Sequence, residues 1–261
     1  MSAPLVLRLP WPGAGLDGFT STRQGGLSKG TFDSLNLGLN TADEAATVVE
    51  NRSLALLSQG MDPGRAVYLQ QVHGERIEEA GAGEAGRGGR DWIQGLELCD
   101  AVFTRVRGLP LAVGHADCLA VAMADPQAGL LGIAHAGWRG ALAGLPGKLA
   151  RRLVEEGADA TRLRAVLSPC LGPSSLELGE EQHRLFAQTF EHHHEFCSSL
   201  TRGHFYLDLW NCARRQLVDA GMLSTHIQGQ ELDTALHPEL FYSHRRDDGV
   251  TGRMMTVATL L

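Results

Sequence analysis

Apolar residues occur along the chain in short continuous runs that are bounded by glycine, proline and polar residues. Runs in which consecutive positions are apolar are typical of strands covered on both faces. The clearest runs predict strands over residues 66–71, 101–104, 109–114, 119–124, 130–134 and 164–167. Between two of these runs, the segment Asp125-Pro-Gln-Ala-Gly129 has the composition of a tight turn. The pattern therefore predicts a β-hairpin centred on this segment.

Helical spacing of apolar residues predicts four helices. They cover residues 46–57, 142–153, 178–197 and 208–220. Pro146 is expected to break or restart the second helix, and Gly221 suits the end of the fourth. The glycine-dense stretch 81–90 predicts a flexible surface loop. Because strands and helices mix without strict alternation, we expect an α/β (α+β) fold in which residues 1–261 form a single layered domain with a mixed β-sheet flanked by helices.

Composition narrows the class of protein. Apolar residues make up 43% of the 261 residues, enough for a sizeable core. The net charge of −7 argues against nucleic acid and anionic membranes as partners. No run approaches the length of a membrane span, and the N-terminus lacks the pattern of a signal peptide. Five scattered cysteines without a C-x-x-C pair predict free thiols and a cytoplasmic protein.

Three side chains that can bind a metal lie at predicted strand ends. Cys118 comes directly before the first strand of the hairpin and His135 directly after the second, so the turn would bring them together. His73 follows a separate strand. Two imidazoles and one thiolate suit zinc, with copper as an alternative, and three protein ligands leave a position open. Spacing alone also allows core or turn histidines and a buried apolar cysteine.

A series of motifs runs along the chain: Gly18–Ser28, Ser34–Gly38, Asn51-Arg52, Leu69-Gln-Gln-Val-His-Gly74, Ala116-Asp-Cys118, His135-Ala-Gly-Trp-Arg-Gly140, Phe241-Tyr-Ser-His-Arg-Arg-Asp247 and Thr251-Gly-Arg253. In this order, the motifs resemble those of the YfiH/laccase-domain family, also called polyphenol oxidase or purine nucleoside phosphorylase. The similarity covers nearly the whole chain from residue 18. It implies that His73, Cys118 and His135 are the metal ligands. It also implies a compact α/β fold related to a group that contains cysteine hydrolases.

The resemblance implies a zinc-dependent purine nucleoside phosphorylase. Adenosine, inosine and methylthioadenosine would be substrates together with phosphate, and adenosine deamination would be a further activity. Alternatives from the same resemblance are copper-dependent polyphenol oxidation and a peptidoglycan-editing Cys–His hydrolase with Cys118 as nucleophile and His135 as base. A non-enzymatic protein with a structural zinc is a third alternative. The sequence leaves the oligomeric state open.

The chain departs from the family pattern at three places. His115 stands where the family usually has threonine, and its imidazole would be able to close the metal site as a fourth ligand. The segment 168–177 lacks two cysteines and a tyrosine that are usual in the family, and Asp233-Thr234 replaces Cys-Thr. These changes affect the predicted walls of the substrate pocket more than the metal ligands.

Four further residues have predicted roles in catalysis or substrate binding. Asp117 is next to Cys118 and is expected to orient a histidine or act as an acid or base, with a turn-capping role as the alternative. Arg139 would bind phosphate if a helix begins near Trp138; otherwise it is a surface arginine. Arg23 and Arg253 lie in glycine-containing motifs of the family and are predicted to bind substrate.

Two other features have simpler interpretations. The run His192-His193-His194 is predicted to lie on a solvated helix face, because consecutive helical residues point in different directions. Only His193 and Cys197 have a spacing that would let them share a metal on a helix. The tryptophans are expected in the core or in a pocket wall, at positions 92, 138 and 210.

Overall fold

The computed structural model describes residues 3–11, 15–201 and 203–261. The strands are β1 (Val6–Arg8), β2 (Leu16–Ser21), β3 (Val67–Tyr68), β4 (Ile77–Glu79), β5 (Ala101–Thr104), β6 (Leu111–His115), β7 (Leu119–Asp125), β8 (Leu130–Ala136), β9 (Arg164–Leu167), β10 (Glu177–Leu178), β11 (Cys197–Thr201), β12 (His204–Leu207), β13 (Ile227–Gly229) and β14 (Met254–Leu260). The helices are α1 (Ala45–Leu57), α2 (Trp138–Leu142), α3 (Leu145–Glu155), α4 (Glu180–Thr189) and α5 (Leu209–Asp219).

The strands form three sheets, where the sequence predicted one. A six-stranded mixed sheet has the order β13-β9-β7-β8-β5-β4, and a five-stranded mixed sheet has the order β1-β2-β14-β6-β3. A smaller antiparallel sheet has the order β10-β12-β11. The predicted α/β class with mixed sheets and flanking helices is confirmed. Of the two additional sheets, the five-stranded one forms because β14 pairs with both β2 and β6.

The two large sheets pack face to face between helices. On β7, alternate residues face opposite sides: Val121 packs towards α3 and α5, whereas Ala122 packs towards the five-stranded sheet. The outer face of the five-stranded sheet packs through Met255 and Val257 against Leu56 of α1. The order of layers is therefore helix, five-stranded sheet, six-stranded sheet, helices. Strands in the middle layers are covered on both faces, which explains their continuous apolar sequences.

The predicted β-hairpin is confirmed by β7 and β8, which are buried at every position. Its turn is held by the carboxylate of Asp125, which accepts hydrogen bonds from the backbone N–H groups of Gln127, Ala128 and Asp159 and from Arg162. The pairing Leu119↔Ala136 marks the other end of the hairpin. This open end is where the candidate metal ligands meet.

The predicted strand over 66–71 is only partly confirmed. The ladder covers Val67–Tyr68, and Leu69 adds an isolated bridge to Leu96. The restart at Pro146 is confirmed, since this proline lies in the first turn of α3. Gly221 follows α5 with a φ of +95°, as expected for a residue that ends a helix.

The predicted helix over 178–197 was too long. Helix α4 ends at Thr189, and a 3-10 turn over His193–Glu195 leads into β11. An aromatic cluster of Phe186, Phe190 and Phe196 explains the break, because Phe190 takes an extended conformation and turns the chain back onto α4. The histidine run is therefore not on a helix face.

The glycine-dense loop contains a 3-10 turn over Ala82–Glu84 and is otherwise irregular, as expected. Its second half is held in place, because the buried Arg52 donates hydrogen bonds to the carbonyls of Gly88 and Gly89. Among the helices that the structure describes, none is long and apolar enough to cross a membrane.

Candidate metal centre and its cavity

The candidate metal ligands lie at the open end of the hairpin, between the two large sheets. Cys118 precedes β7, and His135 lies on β8 opposite Ala120. Because side chains alternate along a strand, His135 shares the face of Leu131 and Ile133, which points towards the five-stranded sheet. His73 reaches the same place from the loop that connects β3 of one sheet to β4 of the other. The β7–β8 hairpin and the loop between β3 and β4 thus bring together three residues that are separated in sequence.

These three side chains converge as the sequence predicted. Each offers one ligand atom, and the ligand atoms of His73, Cys118 and His135 lie within 4.8 Å of one another. The imidazole rings of His73 and His135 are 5.0 Å apart and nearly perpendicular, at 78°. His135 is buried, whereas His73 is exposed, so the group is reached from one side. Two imidazoles and a thiolate at this separation fit a zinc ion with an open position.

The backbone leaves little room for other residues around this group. Gly137 faces Cys118 across the hairpin, and a Cβ atom built on Gly137 would lie 2.7 Å from the Cys118 Sγ atom. His73 has a φ of +60°, in the left-handed region that few residues other than glycine adopt. A side chain at position 137 would therefore displace the thiol, and His73 is held in an uncommon backbone conformation.

Charge favours ionisation of the Cys118 thiol. Burial raises the pKa of Cys118, but the charge of His135 and hydrogen bonds from His135 and His73 outweigh this and lower it to about 6. Burial lowers the pKa of His135, but the Cys118 thiolate and the hydrogen bond to Asp100 outweigh this and raise it to about 9. The thiolate that a metal requires is therefore favoured near neutral pH.

Asp100 is a component of the site that the sequence did not reveal. It is fully buried directly before β5, which pairs with β8. Its Oδ1 atom lies 2.9 Å from the Nδ1 atom of His135 and accepts the N–H of His73 at 3.0 Å. Its Oδ2 atom accepts the N–H groups of Val72 and Gly74. One carboxylate thus contacts both candidate histidine ligands, one through its ring and the other through its backbone.

A cavity of about 370 Å³ opens above the candidate ligands, within the size range of small-molecule sites. Besides these ligands, it is lined by Asn40, Gln71, Gly114, His115, Ala116, Asp117, Gly137, Trp138, Arg139, Leu171, Leu176, Leu209, His244, Arg245 and Arg253. The wall combines apolar surface with three arginines. The sequence analysis singled out two of the arginines, whereas Arg245 was missed although it lies in one of the family motifs.

The predicted substrate-binding arginines have different positions. Arg139 and Arg253 both line the cavity. Helix α2 begins at Trp138, which meets the condition on which phosphate binding by Arg139 was predicted, and the Arg139 guanidinium stacks over the Trp138 ring at 4.4 Å. Arg253 is anchored by hydrogen bonds from its Nη1 atom to the carbonyls of Thr251 and Gly252. The two cations therefore lie in the wall of the cavity that contains the candidate metal ligands.

Arg23 is not among the residues that line this cavity. Its guanidinium donates hydrogen bonds to the carbonyls of Asp33 and Pro238 and stacks over the Tyr242 ring. These contacts join the N-terminal motif to the C-terminal part of the chain. They indicate a structural role, and the predicted role in substrate binding is not supported.

Asp117 lines the cavity but its carboxylate is already held. Its Oδ1 atom accepts the hydroxyl of Thr234 and its Oδ2 atom accepts the N–H of Arg245, each at 2.6 Å. The carboxylate that contacts a candidate histidine ligand is that of Asp100 instead. Asp117 therefore fits the alternative of a residue that fixes a turn, and the predicted catalytic role is not supported by its contacts.

His115 does not join the three candidate ligands. It is buried on β6, its Nε2 atom lies 2.9 Å from the hydroxyl of Thr256, and its Nδ1 atom has no partner among the described protein groups. Burial, with a smaller contribution from His135, lowers its pKa to about 3, so the ring is neutral. His115 lines the cavity wall, and closure of the metal site by this residue is not supported.

The remaining sequence features lie outside the candidate centre. His193 and Cys197 belong to no group of metal-binding side chains within the described part of the chain. Trp138 lines the cavity, Trp210 is buried with its Nε1 donating to the Ser168 carbonyl, and Trp92 lies half-buried in a 3-10 turn. The tryptophans therefore have the core and wall positions that were expected, except for Trp92.

Comparison with known proteins gives a consistent result. Residues 17–261 match the family described as multi-copper polyphenol oxidoreductase laccase. The purine nucleoside phosphorylase YlmD of Bacillus subtilis is 32% identical over 92% of this chain and 86% of its own. The purine nucleoside phosphorylase YfiH of Escherichia coli is 32% identical over the full length of both. The crystal structure of YlmD from Geobacillus stearothermophilus has a TM-score of 0.91 at 32% identity, covering 95% of this chain and 92% of its own.

Proposed function

The chain belongs to the family described as multi-copper polyphenol oxidoreductase laccase. Within this family, we propose that it is a zinc-dependent purine nucleoside phosphorylase. Relatives that are about one-third identical over nearly their whole length bear the name purine nucleoside phosphorylase. Adenosine, inosine and methylthioadenosine are the proposed substrates, with phosphate as the second substrate. Adenosine deamination is proposed as a further activity of the same cavity.

One observation carries this proposal: a single cavity joins the His73–Cys118–His135 group to the arginines of its wall. Its volume of about 370 Å³ suits a small molecule, and its apolar surface, including Trp138, suits a purine ring. The arginines suit phosphate, since guanidinium groups form charge-assisted hydrogen bonds with phosphate oxygens. A nucleoside and phosphate would thus meet beside the candidate metal ligands.

In the proposed phosphorolysis, Arg139 and Arg253 bind phosphate and orient one of its oxygens towards the anomeric carbon of the ribose. The bond from that oxygen to the anomeric carbon forms as the bond to the purine nitrogen breaks. The electron pair of the broken bond leaves with the purine, which takes up a proton. Trp138 and the apolar part of the wall would hold the purine and exclude water from the anomeric carbon.

His73, Cys118 and His135 would hold the zinc ion. Bound zinc would supply Lewis-acid chemistry at the substrate. In the proposed deamination, water adds to the purine carbon that bears the amino group, and the bond from this carbon to the amino nitrogen breaks. His244, which also lines the cavity, is proposed to carry the proton of that water to the amino group, which leaves as ammonia. Copper in place of zinc remains compatible with the same donors. Copper-dependent phenol oxidation finds little support, because the described residues contain one such group of side chains and multicopper sites need several.

A second candidate function follows from the contact between His135 and Asp100. Without a metal, Cys118, His135 and Asp100 have the order of a nucleophile, a base and an orienting carboxylate. This arrangement favours a Cys–His hydrolase, including the peptidoglycan-editing role that the resemblance implies. Zinc and nucleophilic catalysis compete for the same thiolate, so metal content separates the two functions.

The state of the cysteines also bears on where the protein acts. All five cysteines are free, and four are buried without a disulfide partner. Free thiols favour a reducing compartment, and we propose the cytoplasm.

The decisive experiment measures purine release from inosine and adenosine by protein purified without an affinity tag. We expect release that requires both phosphate and zinc, with ribose 1-phosphate as the second product. His73→Ala should abolish release, whereas Arg23→Ala should retain it. Release that is independent of phosphate, or equal in His73→Ala and wild type, would overturn the phosphorylase proposal. Zinc-free protein with a rapidly alkylated Cys118 would favour the hydrolase instead.

A further inference from the structure

Asp100 occupies the one position that contacts both candidate histidine ligands. Strands β7, β8 and β5 are neighbours, and the start of β7, the end of β8 and the start of β5 lie at the same edge of the six-stranded sheet. Cys118, His135 and Asp100 lie at these three ends. The backbone of Asp100 also accepts the N–H of His135 at 2.7 Å, so its position relative to β8 is fixed by the sheet.

The four hydrogen bonds to the Asp100 carboxylate use its full capacity as an acceptor. A carboxylate has two oxygens with about two lone pairs each and no proton to donate. Oδ1 serves the ring of His135 and the N–H of His73, and Oδ2 serves the N–H groups of Val72 and Gly74. Three partners are backbone N–H donors, and Nδ1 of His135 must also donate, because an ionised carboxylate can only accept.

These bonds determine two properties of the candidate centre. A proton on Nδ1 of His135 leaves its Nε2 atom unprotonated, which is the form that binds a metal. The three backbone bonds hold the loop in which His73 has its left-handed φ of +60°. We propose that Asp100 is the positioning residue of the metal centre, setting the tautomer of His135 and the backbone position of His73 together. The zinc readout of this inference rests on the proposed function.

An asparagine at this position would fail for a definite reason. Its amide has one acceptor oxygen and one donor NH₂ group. The NH₂ group would therefore face two of the four groups that now donate to the carboxylate, and no hydrogen bond could form between donors. If the NH₂ group faced His135, the ring would take the opposite tautomer and Nε2 would carry the proton. If it faced Val72 and Gly74, the loop that holds His73 would lose its bonds. Either outcome weakens the metal centre.

Asp125 provides a matched control. It is also fully buried, and its carboxylate also accepts three backbone N–H groups, but it lies at the turn end of the β7–β8 hairpin, away from the candidate ligands. Asp100→Asn and Asp125→Asn therefore make the same chemical change in two buried carboxylates. Both variants should unfold at lower temperature, and only Asp100→Asn should change the metal centre.

The experiment measures zinc affinity by competition with a chromophoric chelator, together with thermal unfolding by circular dichroism. Removing a carboxylate partner from a metal-binding histidine lowers affinity by about 10- to 100-fold, and we expect this for Asp100→Asn. We expect Asp125→Asn to bind zinc like the wild type. Asp100→Asn with wild-type zinc affinity, or an equal loss in both variants, would overturn the proposal.

Histidine ¹⁵N shifts of the wild type test the same inference when Asp100→Asn does not fold. In the zinc-loaded protein, we expect His135 to carry its proton on Nδ1. A proton on Nε2 would overturn the proposal. Failure of the proposed function would give a different result. The protein would then bind zinc and carry the proton of His135 on Nδ1, but it would show no phosphate-dependent release of purine. If the wild type binds no zinc, the same shifts of the metal-free protein decide: a proton on Nδ1 of His135 supports the positioning role of Asp100, and an unprotonated Nδ1 overturns it.

Discussion

A buried carboxylate lies at each end of the β7–β8 hairpin, in two different settings: Asp125 in its turn, and Asp100, directly before the neighbouring strand β5, beside its open end. At the turn end, Asp125 accepts three backbone N–H groups and also pairs with Arg162 at 2.9 Å. At the open end, Asp100 accepts three backbone N–H groups and also contacts the ring of His135. The fourth partner is an arginine at one end and a candidate metal ligand at the other.

The partner of each carboxylate distinguishes a group that stabilises the fold, at the turn end, from a group that belongs to the candidate metal centre, at the open end. Arg162 is permanently charged and partly exposed, so its pair with Asp125 closes a structural turn. His135 carries a titratable imidazole and lies with Cys118 beside a cavity. Burial of a carboxylate therefore does not by itself indicate a functional site. The residue that the carboxylate contacts distinguishes a structural role from a role in the metal centre. Three of the variants below change one end of the hairpin, and the fourth, Arg253→Ala, changes the cavity wall beside its open end.

The largest effect is expected for Cys118→Ser at the open end. A hydroxyl group is a poor zinc ligand, so the zinc should be lost on dialysis. Loss of several kcal/mol of transition-state stabilisation should lower phosphorolysis on the order of 10²- to 10³-fold. Zinc content and purine release measure the two effects. Cys197→Ser, in the three-stranded sheet, is the thiol control and should keep its zinc. A Cys118→Ser protein with full zinc content would contradict the ligand set.

A smaller loss is expected for Arg253→Ala, which removes a cation from the cavity wall. Hydrogen bonds to charged groups contribute about 1.5–3 kcal/mol, so the KM for phosphate should rise roughly 10- to 100-fold. Steady-state kinetics at saturating nucleoside measure this change. Arg23→Ala is the matched control: its KM should be unchanged while its Tm falls. Equal effects of the two substitutions on KM would show that phosphate does not bind at the cavity wall.

Gly137→Ala tests how tightly the backbone fits around the Cys118 thiol. The added methyl group would approach Sγ to 2.7 Å and must displace it. Overpacking of this kind costs about 1–3 kcal/mol, so we expect weaker zinc binding and roughly tenfold lower activity. Gly83→Ala is the control because nothing lies within 4 Å of the added Cβ. Chelator competition compares the two, and a wild-type zinc affinity in Gly137→Ala would be the contrary result.

Asp125→Asn should have the smallest effect on activity and a clear effect on stability. Loss of charged hydrogen bonds should lower the free energy of unfolding by about 1–3 kcal/mol at pH 7, with unchanged zinc affinity. Burial raises the pKa of Asp125, but the N–H of Asp159 and Arg162 outweigh this, and the pKa lies below its usual 3.8. A lowered pKa stabilises the folded state above pH 3.8, and this contribution is lost as the pH falls through the folded pKa. Urea unfolding at pH 7 and pH 3 should therefore show a smaller difference between variant and wild type at the lower pH.

The sequence predicted the elements whose signals are local. The hairpin was predictable because two fully buried strands have continuous apolar sequences and the turn carries proline and glycine. The three candidate ligands were predictable from strand ends and family motifs together. The end of α4 was not, because the contacts of Phe190 with Phe186 and Phe196 override the helical pattern.

The features of the site that the sequence did not predict depend on contacts between distant segments of the chain. Asp100 follows Leu98 and Cys99 in a segment without any motif, and only the pairing of β5 with β8 brings it to His135. Arg23 shares a motif with the family, yet its guanidinium is used to join two segments. Sequence therefore indicated which residue types were available, and the sheet order decided which of them meet.

X-ray absorption at the zinc edge tests most directly whether the open end of the hairpin is a metal centre. The protein should be purified without an affinity tag and without added metal. We expect one zinc per chain with one sulfur neighbour at about 2.3 Å and two nitrogen neighbours at about 2.0–2.1 Å. The sulfur signal should disappear in Cys118→Ser. Absence of zinc, or zinc without a sulfur neighbour, would contradict a centre built from His73, Cys118 and His135.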